Sequence, residues 1–141
     1  MLSFVDKLVV FSCIVVVLFA LTLPITLRVR RNMRRYWDRA CTGFQWRRRF
    51  PGAPKSEIRS FLAMFADAFA FSQNRRLCFS PDDKLMDVYR AQHPDWGMAD
   101  AMELEWLERL FREKYGKDMA SLWRDDITLG EIFAHARAAY T

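Results

Sequence analysis

Histidine is nearly absent from this chain. Only His93 and His135 occur among 141 residues, 42 positions apart, so no two imidazoles share a helix face. His93 precedes Pro94 in an expected loop, and His135 lies on the last expected helix in a surface or packing role. The three cysteines, Cys13, Cys41 and Cys78, are odd in number and widely spaced. That excludes a paired-ligand zinc motif and a disulfide framework, and no metal site is expected. Five glycines form no phosphate-cradling loop. No segment alternates apolar and polar letters at the strand period, and no internal repeat is visible, which points to an all-α chain. With one apolar block set aside, roughly 85–100 residues remain for a core. Neither a large buried catalytic site nor an enzyme is expected.

Charge is unevenly placed. Residues 1–27 hold one acid and one base. Residues 28–59 hold 11 Lys and Arg against 2 acids, and residues 60–141 hold 10 against 14, which together give the net charge of +5. The reading is therefore tripartite: a transmembrane anchor at 1–27, a basic juxtamembrane helix and linker at 28–55, and a helical domain at 56–141.

Leu8 to Leu27 is a run of 20 residues without a charge, the length of helix that crosses a hydrocarbon core of about 30 Å. Ser12 and Thr22 are able to bond back to the helix, and Pro24 sits near one end, where a kink is tolerated. A cleaved signal peptide has a positive start, a shorter apolar stretch and a small-residue cleavage site. Here the start is Asp6-Lys7 and Arg28-Val29-Arg30-Arg31 follows the run, so an uncleaved single-pass anchor is expected. Six arginines lie between Arg28 and Arg39 against a single lysine before the run. Basic residues stay on the cytoplasmic side. The N-terminus is therefore expected outside and the domain in the cytoplasm.

Past the anchor, Val29, Met33, Tyr36, Trp37 and Ala40 recur at helical spacing with arginines between them. This predicts a helix leaving the membrane and lying partly among the headgroups, with Arg28, Arg30, Arg31, Arg34, Arg35 and Trp37 as lipid-headgroup contacts. Basic residues mixed with aromatics also suit nucleic acid, but directly after an anchor they read as a topology signal plus lipid contact, and no nucleic-acid partner is expected. Pro51-Gly52-Ala53-Pro54 reads as a linker.

The remainder reads as four helices, one of them short. Ile58, Phe61, Leu62, Phe65 and Phe69 form one stripe on a helix from about Ser56, its cap, to Phe71. Ser80-Pro81-Asp82-Asp83 opens a short helix, with Pro81 at its first position and the acids at its positive end. Asp100 and Glu103 suggest a capping box before the stripe Leu104, Leu107, Leu110, Phe111 and Tyr115, which Gly116 ends. Asp118 to Trp123 reads as a brief turn. Thr128 and Glu131 form a second capping box, stapled by Ile127 and Ile132, with Phe133 and Ala136 facing the core. Met102 and Trp106 stand together off the main stripe. They mark either a contact site or a surface covered by the Gln92–Ala99 loop.

This helix order resembles an acyl carrier protein over about residues 56–140. Ser80-Pro81-Asp82-Asp83-Lys84-Leu85-Met86-Asp87-Val88 resembles the stretch before the carrier's modified serine. Leu110-Phe111-Arg112-Glu113-Lys114-Tyr115-Gly116 resembles the end of its second helix, and Asp126-Ile127-Thr128-Leu129-Gly130-Glu131-Ile132 the start of its last. The Pro-Asp-Asp, Leu-Glu and Leu-Trp-x-Asp-Asp pattern is similar to a bacterial acyl-carrier-like family of unknown function, which implies the bacterial inner membrane for an anchored member. In carriers, a serine after Asp bears the phosphopantetheine arm. Ala101 fills that slot here and has no hydroxyl to form the phosphodiester, so no cofactor is expected. Ser80 and Ser121 do not follow an Asp at a helix start. The connection from Val88 to Asp100 is longer than a carrier's, and Arg109, Arg112 and Lys114 interrupt the acidic recognition helix. The expected function is a non-catalytic, membrane-anchored interaction module with a membrane-associated or cytoplasmic protein partner, contacted through Asp100, Met102, Glu105, Trp106 and Arg109. The alternatives are a lipid-surface-binding or structural membrane protein, or an atypical carrier.

Overall fold

The computed structural model describes residues 3–95 and 101–138. These form six α-helices, α1 (Phe4–Trp37), α2 (Gly43–Arg49), α3 (Lys55–Ala68), α4 (Leu85–Gln92), α5 (Met102–Tyr115) and α6 (Leu129–Arg137), with 3₁₀ segments at Gln73–Cys78 and Ala120–Leu122. No strand occurs among the described residues, so the chain is all-helical, with one helix long and apolar enough to cross a membrane.

α1 has 34 residues, about 51 Å at the standard rise. Its apolar part is exposed on every side, from Phe4 to Leu27. Thr22 Oγ1 donates to Leu18 O (2.9 Å) and Thr26 Oγ1 to Thr22 O (3.0 Å) on either side of Pro24. The helix then runs unbroken to Trp37. Val29, Met33, Tyr36 and Trp37, the stripe expected to face headgroups, face protein instead. Met33 and Tyr36 are buried, and Val29 and Trp37 pack against the same core. The physical reason is that α4 and the rings of Phe71 and Phe79 supply a complementary apolar surface. Trp37 meets Phe71 and Phe79 edge-on at 5.1 and 5.4 Å.

The expected division at residue 55 does not coincide with an edge of the core. Trp46, on α2, is fully buried and lies 5.6–6.0 Å from the rings of Phe50, Phe61 and Phe133. Its indole N–H donates to Phe79 O at 2.8 Å, the partner a buried indole requires. Thr42 Oγ1 donates to the same carbonyl at 2.7 Å. The Pro51–Pro54 segment is a corner between α2 and α3 in which Ala53 is buried and Gly52 O accepts a hydrogen bond from Arg137.

The helical stripes land where their spacing places them. Ile58, Phe61, Leu62, Phe65 and Phe69 are buried, as are Leu107, Phe111, Ile132, Phe133 and Ala136. Leu104, Leu110 and Tyr115 are half-buried against that core. Helix starts differ. α3 begins at Lys55 after Pro54, and Ser56 does not cap it. α4 begins at Leu85, because Ser80–Asp83 folds into a turn in which Asp83 Oδ2 accepts the Ser80 N–H (2.7 Å) and Ser80 Oγ accepts the Asp82 N–H (3.2 Å). Glu103 contacts the chain just past α4. Its Oε1 lies 3.0 Å from His93 Nε2, and its expected partner Asp100 is outside the described residues. Gly116 ends α5 in the left-handed region, at φ 64°.

Thr128 caps α6 as expected: its Oγ1 accepts the Glu131 N–H, and the Glu131 carboxylate accepts the Thr128 N–H at 2.9 Å. That backbone N–H, then the Thr128 hydroxyl and the Arg124 guanidinium, hold the Glu131 carboxyl below the usual carboxylate range despite partial desolvation. The turns leading into α4 and α6 pair with each other. Leu85 N donates to Ile127 O, Leu129 N to Asp83 O and Gly130 N to Pro81 O, at 2.8–2.9 Å, about an isolated bridge between Lys84 and Thr128.

That pairing leaves no room at Gly130. A Cβ there would lie 2.8 Å from Pro81 O and 3.1 Å from Pro81 Cβ. Gly to Ala inside a helix ordinarily stabilises by up to about 1 kcal/mol. Here Gly130→Ala is expected to destabilise by about 1–3 kcal/mol through overpacking. Thermal melts followed by circular dichroism in detergent measure this; a raised Tm contradicts the close approach.

Candidate functional site

Two surfaces carry the chemistry the sequence singled out. The first is the start of α5. Ala101 precedes the helix with φ 58°, the left-handed region, which costs an alanine about 1–2 kcal/mol. Its N–H donates to Tyr89 Oη at 3.2 Å, which ties the α5 start to α4. Among the described residues outside α1, the exposed large hydrophobics are Phe44, Met102 and Trp106, with Met102 at 63% and Trp106 at 43%. The Arg109 guanidinium lies over the Trp106 ring, 5.2 Å from its centroid, and also pairs with Glu113 at 3.1 Å. Glu105 is exposed beside them. Met102, Glu105, Trp106 and Arg109 therefore share one end of one helix. Of the loop expected to cover them, residues 96–99 are outside the described set.

The second surface is the seam between α1 and α4. The two helices run antiparallel, and charged side chains join them along its length. Arg39 Nη1 donates to both oxygens of Asp83 at 2.7 and 2.8 Å. Arg35 donates to Tyr36 Oη (2.8 Å) and Asp87 O (3.2 Å), and Arg28 pairs with Asp95 at 3.0 Å. The six headgroup candidates are thus sorted by the fold. Arg28, Arg35 and Trp37 engage the domain. Arg30, Arg31 and Arg34 are exposed, with no ion-pair partner among the described residues. Helical periodicity alone did not reveal which arginines face protein, because their partners lie 44–67 positions away in sequence.

No cluster of three or more His, Cys, Asp or Glu able to hold a metal occurs among the described residues. Cys13, Cys41 and Cys78 are free thiols. The pocket between α3, α5 and α6, about 670 Å³, is lined by Glu57, Ser60, Lys114, Tyr115 and Arg137. Its cations are already engaged: Arg137 pairs with Glu57 at 3.3 Å and Lys114 donates to Ser60 O at 3.2 Å. Burial lowers the Lys114 pKa from its ordinary value.

The chain matches no protein-family model, no curated protein and no solved structure.

Asp83 is the buried anion of the seam, and Arg39, about one-third exposed, is its cation. Removing one partner of a buried pair costs about 3–5 kcal/mol, less where solvent reaches the pair. Arg39→Met is expected to cost about 2–3 kcal/mol in chemical denaturation of the full chain in micelles. Adding Asp83→Asn should recover part of that loss, because no buried charge is then left alone. Equal stability of Arg39→Met and wild type contradicts this role.

Proposed function

We propose that this chain is a non-catalytic, membrane-anchored interaction module with an acyl-carrier-like helical domain. α1 crosses the membrane with its N-terminus outside, and the domain lies at the cytoplasmic face of a bacterial inner membrane. The observation that carries this reading is the double use of α1. Its first part exposes apolar side chains on every face, and its last turns are built into the folded core. In water such a helix would be an aggregation liability far larger than an ordinary apolar patch. Inside a bilayer it is an anchor that holds the domain directly, without a flexible tether.

The carrier-like reading is supported by the order of α3, α4, α5 and α6 and by the caps on α6. Ala101 stands immediately before α5, where a carrier would present its serine. A methyl group there accepts no phosphodiester, so the module is read as binding a protein without carrying an arm. Its contact surface is the start of α5, where Met102 and Trp106 offer apolar area and Arg109 and Glu105 offer charge. Tryptophan and arginine are the residues that most often dominate such contacts.

Site-specific photo-crosslinking in cells tests this. A crosslinker at position 106 is expected to yield one discrete protein adduct, and one at the exposed position 44 none. Met102→Asp, with the crosslinker kept at 106, should reduce the adduct several-fold and leave the helical circular dichroism unchanged. Equal adducts at both positions, or none at 106, remove this surface. An intact-mass increase matching one phosphopantetheine would overturn the armless reading.

A further inference from the structure

The α1–α4 seam opens into a notch of about 470 Å³ lined by Arg31, Asn32, Arg35, Asp87, Arg90 and Ala91. Three guanidinium groups and one carboxamide face one carboxylate there. Arg31 has no ion-pair partner among the described residues. Arg35 donates to two neutral acceptors, Tyr36 Oη and the Asp87 carbonyl oxygen. Arg90 pairs with Asp125 at 3.1 Å and lies 3.8 Å from Asp87. A fold built only to close this seam would be expected to give each cation a carboxylate, as it does for Arg28 and Arg39. At the notch Arg90 has carboxylate partners, whereas Arg31 and Arg35 have none among the described residues. Guanidinium forks matched to oxyanions are the usual recognition device for phosphate.

We propose that this notch binds the phosphate of an anionic membrane lipid. The inference rests on the proposed insertion of α1 in the bilayer. Arg31 lies four residues beyond Leu27, the last residue of the apolar run, which is about 6 Å along the helix. The headgroup layer on each side of a bilayer is about 5–8 Å deep. Arg31 therefore lies at the depth of the lipid phosphates, and Arg35 lines the same notch one turn further on. Because α4 packs along the same stretch of α1, Arg90 closes the side that a bare helix would leave open. This differs from a diffuse basic patch. Arg30 and Arg34 carry the same charge and lie within about 5 Å of Arg31 along the helix, but they are rotated about 60–100° away from it and lie outside the notch.

That difference provides the test. Full-length protein is reconstituted in nanodiscs of neutral lipid doped with phosphatidylglycerol, and lipid retained after extraction is counted by native mass spectrometry. Flotation of the same samples first establishes that the protein is in the bilayer, so a failed anchor is distinguished from an empty notch. Arg31→Gln and Arg90→Gln are each expected to lower retained phosphatidylglycerol about tenfold. Arg34→Gln should leave it within about twofold, and Arg90→Lys, which keeps a cation for Asp125, should retain an intermediate amount. Circular dichroism confirms that each variant is folded. Equal loss in the Arg31, Arg34 and Arg90 variants means a diffuse basic surface and overturns the proposal. Displacement of the lipid by millimolar inorganic phosphate, with the same arginine dependence, would assign the site to a soluble phosphate and overturn the lipid assignment.

Discussion

One helix is apolar and exposed over its first part and built into a closed core at its end, and the rest of the structure follows from that division. From Phe4 to Leu27 the side chains of α1 have no protein neighbours to cover them. Fewer than ten residues later the same helix contributes Met33 and Tyr36 to a closed core. A helix without a break transmits orientation, so wherever the apolar part is held, the domain is held with it. The seam with α4 makes the coupling rigid. It is closed by apolar packing on one side and by Arg39–Asp83, Arg35–Asp87 and Arg28–Asp95 contacts on the other. Asp83 has a second duty, since it also folds the turn from which α4 starts and which pairs with the turn before α6. Loss of the Arg39–Asp83 ion pair would loosen α1, α4 and α6 together.

Local features were legible in the sequence wherever the determining residues lie within a few positions of one another. The apolar run, the stripes of α3, α5 and α6, the Thr128–Glu131 capping box and the glycine stop at Gly116 are of this kind. What was not legible depends on distant partners. Nothing in the spacing of Trp46 says that its N–H will find the carbonyl of Phe79, 33 positions away. For that reason α2 read as part of the basic juxtamembrane stretch when it is a wall of the core. The aspartates of Ser80–Asp83 suited a helix N-terminus equally well, but Asp83 turns inward onto the Ser80 N–H and onto Arg39, just past α1. Of the candidate interaction residues, the exposure of Met102 and Trp106 agrees with their place off the buried stripe, while Asp100 lies outside the described residues.

In the proposed arrangement, two surfaces of the domain face different tasks. The notch beside Arg31 lies at headgroup depth. The start of α5 is joined to α4 near the same end by Tyr89 and by the contact between His93 and Glu103. A protein captured at Met102 and Trp106 would therefore be held close to the membrane surface, and the domain would have little freedom to swing away from it. That geometry suits a partner that is itself membrane-associated. On the proposed reading, the domain acts by fixing where a partner sits.

The end of α1, from Arg28 to Trp37, is part of the folded domain and not a tether. Hydrogen–deuterium exchange of the full chain in lipid nanodiscs measures this directly. Amides of residues 31–37 are expected to exchange as slowly as those of α3, opening only with the whole domain. Fast exchange across 28–37, with α3 still protected, would mean that the anchor and the domain are joined by a flexible segment, and would contradict the account.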